Sequence, residues 1–156
     1  MPTPAQNAQI RNAAFGFQTN RAAAVVPTVA QSPQTIYTIT GRVLVKLLLG
    51  EVTTVLDATV YTLKVSHDPT VGPAVDLSAA LTMTSFTAGD YVTLGATVGA
   101  ALTSNNGAIG SVVAPAPVLV LADGILTLTG SATQTGAMKW GLYYVPLDAN
   151  SNVVAA

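Results

Sequence analysis

The sequence predicts an all-β protein: an antiparallel β-sandwich or jelly-roll-like domain over residues 34–156, preceded by an extended N-terminal arm over residues 1–33. Three observations carry this expectation. From Thr35 onward apolar side chains recur at every second position or in short runs, and no stretch of about ten residues has them at helical spacing. Turn formers separate the runs: HDPTVGP (67–73), Ala88-Gly89-Asp90, Asn106-Gly107 and Ala122-Asp123-Gly124. Roughly seven to nine short strands result, the number from which sandwiches and jelly rolls are assembled.

Residues 1–33 differ from the rest of the chain. They are rich in Ala, Gln, Asn, Pro and Thr, show no sustained period of 2 or 3.6, and carry Pro2, Pro4, Pro27 and Pro33. Such a segment has little apolar face to bury by itself and is expected to become ordered on a partner. Within it lies RNAAFGFQTNR (11–21), where Phe15 and Phe17 are bracketed by Arg11 and Arg21. These four residues are candidates for an anchor docked on another protein; the alternatives are a strand or loop packed on the chain's own domain, and a disordered tail, which the phenylalanines disfavour.

Beyond the arm the strands come in order. In IYTITGRVLVKLLLGEVTT (36–54), unbroken alternation places Val43, Val45, Leu47 and Leu49 on one face. The opposite face then holds Arg42, Leu44, Lys46 and Leu48 and is half apolar, which makes Leu44 and Leu48 candidates for a subunit interface. Gly50-Glu51 reads as a turn. In TVYTLKVSH (59–67), Tyr61, Leu63 and Val65 oppose Thr62, Lys64 and Ser66. VDLSAALTMT (75–84) reads as one strand, with Val75, Leu77, Ala79, Leu81 and Met83 together. DYVTLGATV (90–98) is a shorter candidate, and PVLVLADGILTLTGSATQ (117–134) reads as two strands joined at Ala122-Asp123-Gly124.

The last strand is GAMKWGLYYVPLDAN (136–150), which contains the single tryptophan and two of the five tyrosines. An aromatic platform for a ligand needs its rings on one side of the strand. Alternation instead groups Met138, Trp140, Leu142 and Tyr144 on one face and Lys139, Gly141, Tyr143 and Val145 on the other. Trp140 is therefore expected in a core, and Tyr143 in solvent or at a subunit contact. Pro146, which has no amide donor, ends the strand or puts it at an edge.

Composition narrows the functional classes. Only 8% of residues are charged, against about 25% in ordinary soluble domains, and the formal net charge is −1. So few charges solvate a monomer poorly, which points to self-association or docking on a larger assembly. Arg11, Arg21, Arg42, Lys46, Lys64 and Lys139 are scattered, without the basic stripe that nucleic acid requires. No run approaches the ~20 apolar residues of a membrane span, since VLVKLLL (43–49) is interrupted by Lys46, and AAAVV (22–26) is too short for a signal peptide. The absence of cysteine fits folding in a reducing cytoplasm.

No catalytic, cofactor or metal site is expected. His67 is the only histidine, and Ser66-His67-Asp68 cannot act as a relay because neighbouring side chains in a strand point to opposite faces. The expectation for it is a strand ending at an Asp-Pro turn, with the imidazole partly solvated. The carboxylates mostly stand beside turn formers.

An Ala/Gln/Pro-rich arm followed by a charge-poor, Thr/Val/Leu/Gly-rich β-domain resembles the small virion proteins of tailed bacteriophages, above all capsid decoration (head cement) proteins. GILTLTGSATQT (124–135) followed by GAMKWGLYYVPLDAN (136–150) is similar to the ending of phage structural proteins. The resemblance implies a jelly-roll-like fold and a homotrimer seated on the major capsid protein lattice, at three-fold and quasi-three-fold positions, with the arm reaching across neighbouring capsid subunits. Such a protein is made in the host cytoplasm and ends on the capsid surface. Two other classes compete: a glycan- or receptor-binding module of a fibre, which would expose stacking aromatics, and another head or tail component.

Overall fold

The computed structural model describes Asn12, residues 16–105 and residues 119–156. They form two six-stranded antiparallel sheets packed face to face, as the strand pattern predicts. In the first sheet β1 (Phe17–Val25) pairs with β11 (Ala137–Pro146), which pairs with β3 (Val43–Thr54). Beyond β3 lie β7 (Tyr91–Thr93) and β8 (Thr103–Asn105), while β9 (Leu119–Leu121) pairs with the first residues of β3. The second sheet runs β12 (Asn152–Ala155), β2 (Gln34–Thr40), β10 (Gly124–Gly130), β4 (Thr62–Pro69) and β5 (Val75–Asp76), with β6 (Leu81–Thr82) also on β4.

The core fills the space between the sheets. Met138, Trp140, Leu142 and Tyr144 of β11 all face inward, as alternation requires, against Ile36, Ile39, Leu63, Val65, Leu126 and Leu128 of the other sheet. Trp140 is 2% exposed and stands opposite Gly50 in the β3–β11 register. A Cβ on Gly50 would lie 2.8 Å from the indole ring and 2.8 Å from Val92 Cγ2. Gly50-Glu51 is thus not a turn. It lies inside β3, where the missing side chain makes room for the tryptophan.

β3 also departs from simple alternation. Tyr143 pairs with Leu47 and Tyr144 with Val45, so Lys46 is an extra residue with no partner on β11. This β-bulge reverses the facing of everything after it. Val43 and Val45 point inward before the bulge, and Leu48, Gly50 and Val52 point inward after it. Leu48, expected at a subunit interface, is instead a core residue at 1% exposure, and Leu47 and Leu49 face outward in its place.

Three further expectations are corrected. The sheet begins at Phe17, inside the span read as an arm, because β1 is an edge strand whose inward side, Thr19, Arg21 and Ala24, is only half-buried and so shows no apolar period. This segment is held by buried tyrosines: Tyr61 Oη donates to Pro27 O at 2.9 Å and Tyr37 Oη to Thr19 O at 3.2 Å. Burial pushes the Tyr37 phenol up to about 12. Next, residues 75–84 are two separate two-residue strands; between them the chain leaves the ladder, with Leu77 N and Ser78 N both donating to Val65 O. Finally, β9 and β10 do not form a hairpin, since β9 belongs to the first sheet and β10 to the second. Gly124, at φ +155, makes that crossing, and any Cβ there would strike the Asp68 carbonyl.

His67 is also more buried than its place before a turn suggests, at 6% exposure. It continues the inward face of Leu63 and Val65, and its Nε2 lies 3.1 Å from Ala122 O, a contact that the neutral Nε2–H tautomer makes as donor.

Trp140→Ala should therefore cost roughly 3–5 kcal/mol, as loss of a large core aromatic usually does. Gly50→Ala should cost roughly 1–3 kcal/mol by forcing the indole and Val92 apart. Urea titrations of both variants against the parent check this, and a Gly50→Ala midpoint equal to the parent's would mean that the indole has room to move.

Candidate functional site

The outward faces of the two sheets differ in chemistry. On the first sheet, cross-strand pairing stacks the outward residues into rows. Val145, Leu44 and Val120 form one row, and Tyr143 and Leu47 the next. Gly141 and Leu49 form the third, and Lys139, Glu51 and Tyr91 the fourth. The first three rows present a continuous apolar stripe that is half-buried to exposed, with Val120 at 51%. Lys46 borders the stripe from the bulge.

At Gly141 the face has no side chain, and a depression of about 550 Å³ opens there, lined by Gln18, Asn20, Leu49, Glu51, Lys139 and Tyr143 among others. Gln18 Nε2 donates to Asn20 Oδ1 at 2.8 Å, and Lys139 Nζ lies 2.9 Å from Glu51 Oε2. The hydrogen bond to Glu51 holds the Lys139 ammonium above its ordinary pKa. The Lys139–Glu51 pair thus closes one end of the stripe as a neutral unit, while Lys46 borders it and Arg21 lines the depression. Such a surface buries apolar area against another protein without stranding charges.

The residues expected to bind partners are only partly brought together. Leu44 and Tyr143 do meet on this face, in adjacent rows. Phe17, on β1, is 45% exposed with its ring 6.0 Å from that of Tyr144. Arg21, on the same strand, donates from Nε to Ala156 O at 3.3 Å and so ties the first sheet to the chain's C-terminus. Arg11 and Phe15 lie outside the described residues. Leu47 and Leu49 were missed because only the bulge brings them outward.

On the second sheet the outward rows are richer in polar residues. Thr35, Thr127, Ser66 and Asp76 stand side by side across four strands, next to a row of Val154, Thr38, Ile125 and Asp68. Ser66 Oγ donates to Asp76 Oδ1 at 2.7 Å, while Lys64 Nζ lies 2.8 Å from Asp76 Oδ2. The Lys64 and Ser66 hydrogen bonds lower the Asp76 pKa. This leaves Ser66 and His67 on opposite faces with different partners, so the Ser-His-Asp triplet makes no relay. Sequence reasoning did not single out this face, although the alternate threonines of TITG and TLTG were its visible signal.

Among the described residues no group of three or more His, Cys, Asp or Glu is placed to hold a metal ion, and no helix is long and apolar enough to cross a membrane. Compared with protein-family models, with curated proteins and with solved structures, the chain matches none.

These placements set two expected outcomes. Leu48→Ala should lose roughly 2–5 kcal/mol of stability, whereas Leu44→Ala and Tyr143→Ala should stay within about 1 kcal/mol of the parent in urea titrations. The second concerns His67, whose pKa is lowered by burial, against weaker opposing effects of the Ala122 carbonyl and Asp68. As pH falls below the unfolded value of about 6.5, the unfolded chain takes up the proton first, so stability declines until the folded pKa has been passed. Urea midpoints should thus fall between about pH 7 and pH 5, and His67→Gln should flatten that slope.

Proposed function

We infer that the protein is a structural virion component, a decoration or cement protein that binds the outside of an assembled icosahedral phage capsid as a homotrimer and stabilises it. The observation that carries this reading is the apolar stripe of Leu44, Leu47, Leu49, Tyr143, Val145 and Val120 on the outward face of the first sheet, in a chain with 8% charged residues. Interfaces that form permanently are more apolar than ordinary surface, and this stripe has that character. Support also comes from the likeness of residues 124–150 to the endings of phage structural proteins. An enclosed ligand platform is a poorer description of the aromatic cluster, because Trp140 and Tyr144 face the core.

The mechanism is mass action. A protein that binds the assembled lattice and not its free subunits stabilises the lattice by RT ln(1 + [L]/Kd). Three chains held together bind with avidity well above that of one, provided that the spacing of their contacts matches the lattice.

Light scattering should give a trimer of the 15.8 kDa chain at micromolar concentration, and shells lacking the protein should gain disruption temperature when it is added. Leu44→Asp should leave the fold intact while weakening trimerisation or shell binding at least about tenfold, or 1.4 kcal/mol. A monomer that leaves shells unchanged would overturn the reading.

A further inference from the structure

The second sheet's outward face has a hollow of about 210 Å³ that the docking role does not use, since docking relies on the opposite side of the sandwich. Its floor and walls include Thr35, Ser66, Asp68, Asp76, Ile125 and Thr127. We propose that this hollow binds a single neutral hexopyranose ring, through the hydroxyls of Thr35 and Thr127 and the carboxylate of Asp68.

Four features select that ligand. The floor is polar but removed from solvent: Thr127 is 4% exposed and Ser66 8%. Ser66 is committed to Asp76, whereas the Thr127 hydroxyl has no hydrogen-bond partner among the described residues. Thr127 lines the hollow, so a ligand hydroxyl placed there can take the position of water as the partner of its hydroxyl. Thr127 can both donate and accept, which matches a sugar hydroxyl and not a purely accepting anion.

The second feature is charge. Asp68 and Asp76 both line the hollow, no cationic side chain among the described residues does, and Lys64 is engaged by Asp76. The Asp68 carboxylate accepts no hydrogen bond among the described residues and is free to take two from adjacent ring hydroxyls. An acidic sugar or a phosphate would meet repulsion from both carboxylates. Third, Ile125 stands between Thr38 and Asp68 in the adjacent row and, with Pro33, offers an apolar wall for the C–H face of the ring. Fourth, the volume is below the range of drug-sized pockets and suits one ring, so a chain of sugars would touch the protein at one residue only.

The rows that build the hollow come from β2, β10, β4 and β5, so its groups are fixed by ladder pairing and need no loop closure. One ring without aromatic stacking implies weak binding, with Kd of about 1 mM or above.

Saturation-transfer NMR on the intact chain, with D-glucose, D-galactose and D-mannose as probes, tests the proposal. At least one hexose should bind, and glucuronate should not. Thr127→Val preserves shape and strand preference while removing the hydroxyl, and Asp68→Asn removes the charge at an exposed position; each should weaken binding about tenfold or more. Two variants guard against one that fails to fold, and Leu44→Asp should bind the hexose like the parent, which separates this site from the docking face. No binding by any of the three hexoses, equal binding of glucuronate, or hexose binding unchanged in both variants would each overturn the proposal.

Discussion

The ladder between β11 and β3 is the element on which the rest of the molecule depends. It is the longest pairing in the structure, running from Ala137 opposite Thr54 to Pro146 opposite Val43, and both strands carry other strands on their far sides. Its centre is the Trp140–Gly50 pair. A large indole placed over a residue without a side chain fixes the register there, because a slip of one residue would set the ring against Leu49 or Glu51 and turn the inward set of β11 outward. Leu142 and Met138 then fall into place on either side. The bulge at Lys46 supplies the second constraint, since without it Leu48, Gly50 and Val52 would leave the core together.

That bulge also creates the functional asymmetry. By sending Leu47 and Leu49 outward it lines them up with Tyr143, Leu44 and Val145, so an apolar stripe faces solvent on a sheet whose inner face is already fully apolar. The second sheet solves the same problem differently. Within β10 large apolar residues alternate with Thr, as in Leu126, Thr127, Leu128 and Thr129, and the outward face of this sheet combines hydroxyls with Lys64, Asp68 and Asp76. Hydroxyls beside these few charges let the sheet face water, which is how a chain with 8% charged residues still has one wettable side.

Much of this was legible in the sequence, and the failures have physical causes. The all-β class, the two-sheet architecture and the facing of β11 came from alternation, which is strong wherever one face is buried and the other is not. β1 was legible only as one of the readings of residues 11–21, because the inward side of FQTNRAAAV is merely half-buried and leaves no apolar period to detect. Gly50 was misread because a glycine that accommodates a ring and a glycine that turns the chain look the same until the partner strand is known. The bulge could not be read at all: a single extra residue leaves no mark in a run as uniformly apolar as VLVKLLL. Of the three residues expected at a docking face, Leu44 and Tyr143 do face outward, whereas Leu48 lies in the core and Leu47 and Leu49 face outward instead.

Under the proposed docking role, the edges of the sheets explain why association would use a face. An exposed edge strand invites pairing with another copy, and repeated pairing of that kind need not close. Here β12 is four residues long and β5 and β6 only two each, so the second sheet has little edge to offer. β1 is longer, but its register shifts between Arg21 and Ala24, which leaves one more residue on β1 than on β11 and interrupts any straight template. Arg21 is moreover drawn over to the Ala156 carbonyl, and Thr19 Oγ1 donates to Val153 O, so the corner between β1 and β12 is stitched shut. With the edges interrupted or short, the large apolar area left to cover is the stripe on the first sheet. The stripe is bounded by the Lys139–Glu51 pair at one end and indented by the depression at Gly141, so under the proposed docking role it offers one oriented patch, the kind that a closed assembly of a few subunits uses.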